Sequence, residues 1–147
     1  MSQLTLKIVT PERIVFESTV DSLTCMTENG EITILPHHIA LATLLKAGEM
    51  RAMVGQEMIL LAVSTGLLEV RAGGEIVVLA DTAERSEELE LATIELAKKA
   101  AEEALAKAKS TDAASFADAA AHLERELARY RVALKHKHRG SKTSINN

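Results

Sequence analysis

The chain has 147 residues, 47% hydrophobic and 26% charged, with a formal net charge of −4. It is large enough for a real core, too apolar for a disordered chain and too acidic for a general nucleic-acid binder. Aromatics are only 2%, Phe16, Phe116 and Tyr130 with no Trp, which excludes a base-stacking platform or an aromatic sugar cradle and leaves the core aliphatic.

Residues 1–7 show neither the basic segment nor the apolar run of a signal peptide. Leu4, Leu6 and Ile8 then alternate with Thr5 and Lys7, the period of a half-buried strand. Further strands are expected over 13–18, 22–27, 31–35, 49–54, 57–64, 66–71 and 75–80. Thr10-Pro11, Asn29-Gly30 and Gly73-Gly74 punctuate them as turns. Many short strands at close spacing predict an antiparallel sandwich or barrel. Within this region lies the longest uncharged stretch, residues 32–45, which is too short to span a bilayer and contains Pro36, His37 and His38. The expectation is a soluble cytoplasmic protein that reaches any membrane through a partner.

The composition changes near residue 75. Both prolines and six of the seven glycines precede it, and residues 75–139 contain neither. Ser86 reads as an N-cap, with Glu87, Glu88 and Glu90 in the first turn of a helix running to about Lys109. Ser110, Thr111 and Asp112 supply a turn and a second cap. Phe116, Ala120, Leu123, Leu127, Tyr130 and Leu134 then form an apolar seam along a second helix. The expected organisation is a β-domain over 1–85, a helical hairpin over 86–139 and a flexible tail over 140–147. The first helix offers mainly alanine, so the pair buries little and is marginal alone. It reads either as a fixed lid or as a switch, since residues 86–138 straightened into one rod would reach roughly 80 Å.

Chemistry is sparse. No phosphate-binding loop and no nucleophile elbow occur. Cys25, the only cysteine, rules out internal disulfides and Cys-based zinc clusters, and it reads as core rather than nucleophile. His37 and His38 are adjacent in an extended reading, so they point to opposite faces and suit one metal poorly. His136 and His138 read as a solvated helix end. Charge is more informative: residues 1–86 carry 6 basic and 11 acidic groups, whereas after Glu126 there are six cations and no acid. Arg129, Arg131, Lys135, Lys137, Arg139 and Lys142 partly complete a helix dipole and also suit an acidic protein patch.

Four strings in register resemble the epsilon-subunit family of F-type ATP synthases. They are Val9-Thr10-Pro11-Glu12-Arg13-Ile14-Val15-Phe16-Glu17, Gly30-Glu31-Ile32-Thr33-Ile34-Leu35-Pro36-His37-His38, Gly66-Leu67-Leu68-Glu69-Val70 and Val78-Leu79-Ala80-Asp81. The resemblance covers essentially the whole chain. It implies an α+β fold, a ten-stranded antiparallel β-sandwich followed by an antiparallel two-helix hairpin. It also implies a non-catalytic rotor subunit without cofactor or metal, coupling proton-driven rotation of the c-subunit ring to ATP synthesis. The implied partners are the gamma subunit, the c ring and, when the helices extend, the alpha/beta hexamer. Neither nucleic acid nor direct bilayer insertion is implied, and the implied location is the cytoplasmic face of an energy-transducing bacterial membrane.

By the same resemblance, Gly30 and Glu31 face the c ring, Pro36 and His38 face gamma, and Arg129, Arg131 and Lys135 form the regulatory basic helix end. Two departures stand out. The family's Gly between Pro and His is His37, and its following Pro is Ala40; if that Gly has positive φ in relatives, either His37 bears a cost of about 1 kcal/mol or the loop differs. A nucleotide-binding motif found in some members aligns with Glu90, Thr93 and Ile94, without its Arg, which predicts weak or no ATP binding. A generic protein-binding sandwich with a helical lid, outside any ATP synthase, is the alternative reading.

Overall fold

The computed structural model describes residues 3–108 and 112–144, with side chains described as far as Lys137. Ten strands come first among the described residues: β1 (Leu4–Val9), β2 (Ile14–Val20), β3 (Ser22–Thr27), β4 (Gly30–Ile34), β5 (Leu41–Leu45), β6 (Gly48–Val54), β7 (Glu57–Val63), β8 (Gly66–Arg71), β9 (Glu75–Ala80) and β10 (Ala83–Arg85). The hydrogen-bonded order is β10-β7-β6-β3-β5-β8-β9-β1-β2, with β4 pairing β3. The first half of β3 pairs β6, while its last residue, Thr27, pairs Leu45 of β5. One sheet thus folds over on itself into two layers.

Alternation fills the space between them. Leu4, Leu6 and Ile8 of β1 are wholly buried, as their spacing predicts, alongside Leu68, Ile76, Val78, Leu23 and Ile34. The pairing departs from a wholly antiparallel sandwich at one place. β1 and β9 run parallel, from Thr5 opposite Glu75 to Val9 opposite Leu79. Parallel neighbours need a long connection, and the strands between β1 and β9 supply it. At Gly66 a Cβ would lie 2.1 Å from the Leu79 carbonyl oxygen, so β8 and β9 meet this closely only around glycine.

β7 is buried on both faces. Leu61 and Val63 enter the sandwich core, whereas Leu60 and Ala62 point outward into a second cluster with Val132, Met58 and Leu89. That second face receives the helices α1 (Leu91–Ala108) and α2 (Ala113–Ser144). α2 lies across β6 and β7, and α1 packs along α2. Ile94, Ala101 and Ala108 are the buried residues of α1, spaced by sevens on one stripe.

Helix boundaries differ from the sequence expectation. Ser86 opens only a single 3-10 turn, Ser86–Glu88, and Leu89 is extended before α1 starts at Leu91. The extended step lets Leu89 join the Leu60–Ala62–Val132 cluster, while Glu88 ion-pairs with Arg13 at 2.6 Å. Glu87, Glu88 and Glu90 therefore lie outside the first turn of α1. Lys109, Ser110 and Thr111 lie outside the described residues. Asp112 caps α2 as expected, its Oδ1 accepting the Ser115 N–H at 2.7 Å. α2 continues through Gly140 to Ser144, so the backbone of 140–144 is helical rather than tail. One glycine costs a helix only about 1 kcal/mol, and no proline follows to stop it. Residues 145–147 lie outside the described residues.

The expected seam on α2 is only half the packing. Tyr130 receives Lys98 of α1 over its ring at 4.3 Å, and Leu123, Leu127 and Leu134 are half-buried. The buried residues are instead Glu126, Ala128, Val132 and Ala133. α2 lies between a helix and a sheet, so it needs two contact stripes where the spacing pattern showed one.

Candidate functional site

The Gly30–Glu31 corner is built by a tight hairpin between β3 and β4. Thr27 Oγ1 donates to the Gly30 carbonyl at 2.8 Å and accepts the Asn29 N–H at 3.2 Å. Gly30 has φ +113°, a backbone that side chains rarely adopt, in otherwise open space. Glu31 is exposed and takes Arg51 Nη2 at 3.1 Å.

Pro36 and His38 stand at the opposite end of β4. The His38 N–H donates to the Leu35 carbonyl at 3.2 Å, closing a turn with Pro36 second and His37, at φ +70°, third. That is a type II turn, whose third position favours glycine. His37 therefore adopts the left-handed backbone conditionally expected of it. His38 Nδ1 lies 2.6 Å from the Ile39 carbonyl oxygen, which fixes that nitrogen as the donor. Leu35 and Ile39, 57% and 79% exposed, make the turn an apolar tip.

The basic helix end is engaged by carboxylates. Arg129 Nη2 donates to Glu84 Oε2 at 3.0 Å and its Nη1 to Glu126 Oε2 at 2.8 Å. Its Nε stands 2.8 Å from Glu84 Oε1, an ion pair without hydrogen-bond alignment. Burial works against the guanidinium charge, but Glu84 and Glu126 outweigh it and raise its pKa above the ordinary arginine value. Lys135 Nζ reaches Glu49 Oε2 at 2.5 Å, and Glu49 also accepts from Arg51 at 3.1 Å. Lys135, Glu49, Arg51 and Glu31 are thus one chain of charges, bringing two regions together that are over a hundred residues apart in sequence. Arg131 is exposed and, among the described residues, joins no ion pair. The side chains of His138, Arg139 and Lys142 lie outside the described residues.

A further surface escaped the sequence reading. Leu44 of β5 pairs with Leu67 of β8, Leu67 with Leu79 of β9, Leu79 with Val9 of β1, and Val9 with Ile14 of β2. The row crosses five strands on the outer face of the layer that carries no helix. Leu44, Leu79 and Ile14 are about half exposed, at 53%, 48% and 51%. A groove of about 700 Å³ runs over Leu44, Leu67 and Leu79, with Glu28 and Asp81 also in its lining. The doublet Leu67-Leu68 and the run Val77-Val78-Leu79 carried the signal, because adjacent strand residues face opposite sides and one apolar residue of each must point outward.

Other candidates are structural. Cys25 is buried in the core, where desolvation pushes its thiol pKa up to about 11, assisted by Glu31. Glu90 accepts a hydrogen bond from Thr93 Oγ1 at 3.2 Å, and Ile94 is wholly buried, so at these three positions the chain presents packing in place of a nucleotide-binding cation. Among the described residues no helix is long and apolar enough to cross a membrane, and no three His, Cys, Asp or Glu gather as a metal site.

A sandwich with one apolar outer face, and a helical hairpin held to the other, defines an interaction protein. Residues 3–86 match the family model described as "ATP synthase, Delta/Epsilon chain, beta-sandwich domain". The ATP synthase epsilon chain of Dehalococcoides mccartyi strain BAV1 is 46% identical over 135 residues, 92% of this chain and 95% of that one. The epsilon chain of Syntrophobacter fumaroxidans is 37% identical over 133 residues, 90% of this chain and 97% of that one. A chain in the cryo-EM structure of the Euglena gracilis mitochondrial ATP synthase (OSCP/F1/c-ring) shares the fold, with a TM-score of 0.73 at 23% identity over 93% of this chain and 82% of that one. The chain belongs to the ATP synthase epsilon-chain family, and it is a non-catalytic rotor and regulatory subunit.

Proposed function

We propose that the sandwich docks the gamma subunit through the Leu44–Leu67–Leu79 row, with the Pro36–His38 turn beside that partner, and that Gly30 and Glu31 rest on the c-subunit ring. Rotation of the ring under the proton gradient then passes through this subunit into the central stalk. The hairpin restrains ATP hydrolysis when it leaves the sandwich and presents Arg129, Arg131 and Lys135 to an acidic surface of the alpha/beta hexamer. The subunit is held at the cytoplasmic face of the membrane by these partners.

The observation that carries this reading is the exposed apolar row. Contiguous outward leucines on a sheet face mark an interface. Glu28 and Asp81 beside it complement a partner stripe bearing basic residues. The hairpin, by contrast, is attached through a small apolar cluster and a few ion pairs, as a removable element requires.

The test is ATPase turnover and proton pumping of the reconstituted complex, with the full chain and with a version ending at Arg85. A several-fold rise in hydrolysis with pumping intact is expected. Unchanged hydrolysis would remove the braking role, and loss of pumping would show that the sandwich does not couple without its helices.

A further inference from the structure

The face of α2 turned to the sandwich is unusual in what it buries. Arg129, Val132 and Lys135 follow one another at steps of three on that face. Val132 is wholly buried against Leu60 and Ala62, and the two cations flank it. Arg129 reaches Glu84 of β10, and Lys135 reaches Glu49 of β6. Arg129 and Lys135 are thus both engaged by carboxylates of the same chain, whereas Arg125, which borders the sandwich one turn earlier, bonds only His122 of its own helix among the described residues.

We propose that Glu84 and Glu49 are a built-in decoy, occupying Arg129 and Lys135 while the hairpin is folded and withholding that cationic face from an acidic protein partner. The proposal rests on the reading that the hairpin leaves the sandwich, and it names what controls the departure.

The arrangement of spare partners supports it. Glu126 is only 5% exposed, and a buried carboxylate stripped of its cation would be costly. Its partner Arg129 lies three residues on along the same helix, so the pair travels together. Glu49 loses Lys135 on release but keeps Arg51, two residues along its own strand. Glu84 alone loses its partner, and its side chain is already 27% exposed to water. Opening therefore strands no buried anion. What it does strand is positive charge: Lys135 and the Glu84-facing side of Arg129. Along the Arg129–Val132–Lys135 stripe the folded hairpin keeps its cations paired, and the open one is an anion receptor. Because Lys135 is half exposed, its pair is screened by salt, and the decoy weakens as ionic strength rises.

The test uses the full chain and a Glu49→Gln/Glu84→Gln variant. Amide hydrogen exchange over residues 125–137 should be several-fold faster in the variant, with β1, β8 and β9 unchanged. Raising NaCl to about 0.5 M should accelerate exchange in the native chain and leave the variant little changed. A polyglutamate peptide at low salt should bind the variant several-fold more tightly. Equal exchange in the two proteins, or equal peptide affinity, would overturn the decoy. Either failure would leave the braking role to be judged by hydrolysis in the truncated complex. Faster exchange throughout the sandwich would also overturn it, since the carboxylates would then be general stabilisers.

Discussion

His37 holds a φ of +70° at the third position of its turn, where an L side chain crowds the carbonyl beside it. Glycine there removes that strain, although its freer unfolded chain returns part of the gain. His37→Gly is expected to stabilise the protein by about 0.5–1 kcal/mol, read as a higher urea midpoint at unchanged slope. A lower midpoint would mean that the imidazole contributes more than its backbone costs. This strain was legible in the sequence as a histidine standing where the family pattern has glycine. The anchoring of Arg129 and Lys135 was not. Their run of charge announced a cationic helix end, but Glu84 and Glu49 are 45 and 86 positions away along the chain, and only the folded hairpin selects them from 21 acidic residues.

At the scale of elements, what the sequence showed follows how strongly each element is patterned. β1, with Leu4, Leu6 and Ile8 all inward, was legible from alternation alone. β5 was not, because Leu41, Thr43 and Leu45 alternate with Ala42 and the outward Leu44, which blurs the two faces. β10 is three residues long and forms because β7 offers it an edge, from Ala83 opposite Val63 to Arg85 opposite Leu61. Caps divide similarly. Asp112 acts as predicted, while Ser86 yields its place because Leu89 is drawn into the cluster under α2. The cap carries a pH dependence. The Ser115 backbone hydrogen bond holds the Asp112 carboxyl below its ordinary pKa, with the Ser115 side chain assisting. A lowered folded pKa contributes stability that is present above the unfolded value and lost as pH falls through the folded one. Amide exchange at Ser115 and its neighbours is therefore expected to quicken as pH drops below about 4, after correction for intrinsic rates. In Asp112→Ala the same amides should exchange fast at neutral pH and show no such acid step. A wild-type profile flat through that range would show that the cap does not hold the helix start.

In the whole molecule the two working surfaces lie on opposite layers. The hairpin rests on β6 and β7, and the apolar row crosses β5, β8, β9, β1 and β2. β3 of one layer meets β5 of the other only at its end, through Thr27 opposite Leu45 and the Lys46 N–H donated to the Met26 carbonyl at 3.0 Å, and the sandwich core lies between the layers. On the function proposed above, the hairpin can then move without disturbing the proposed docking face. Substituting the row should accordingly cost attachment and little else. Leu44 and Leu79 point into water, so Leu44→Thr/Leu79→Thr gives up little burial, and threonine keeps the strand preference. Folding stability is expected to stay within about 1 kcal/mol of native, with exchange in α2 unaltered. Retention of the chain on the reconstituted complex should fall at least about tenfold, the loss expected when central apolar anchors leave an interface. Leu68→Thr, one residue from Leu67 but wholly buried, is the contrasting substitution and should destabilise the sandwich itself. If the surface variant binds the complex as tightly as the native chain, the docking face lies elsewhere, and the exposed tip at Leu35 and Ile39 becomes the next surface to alter.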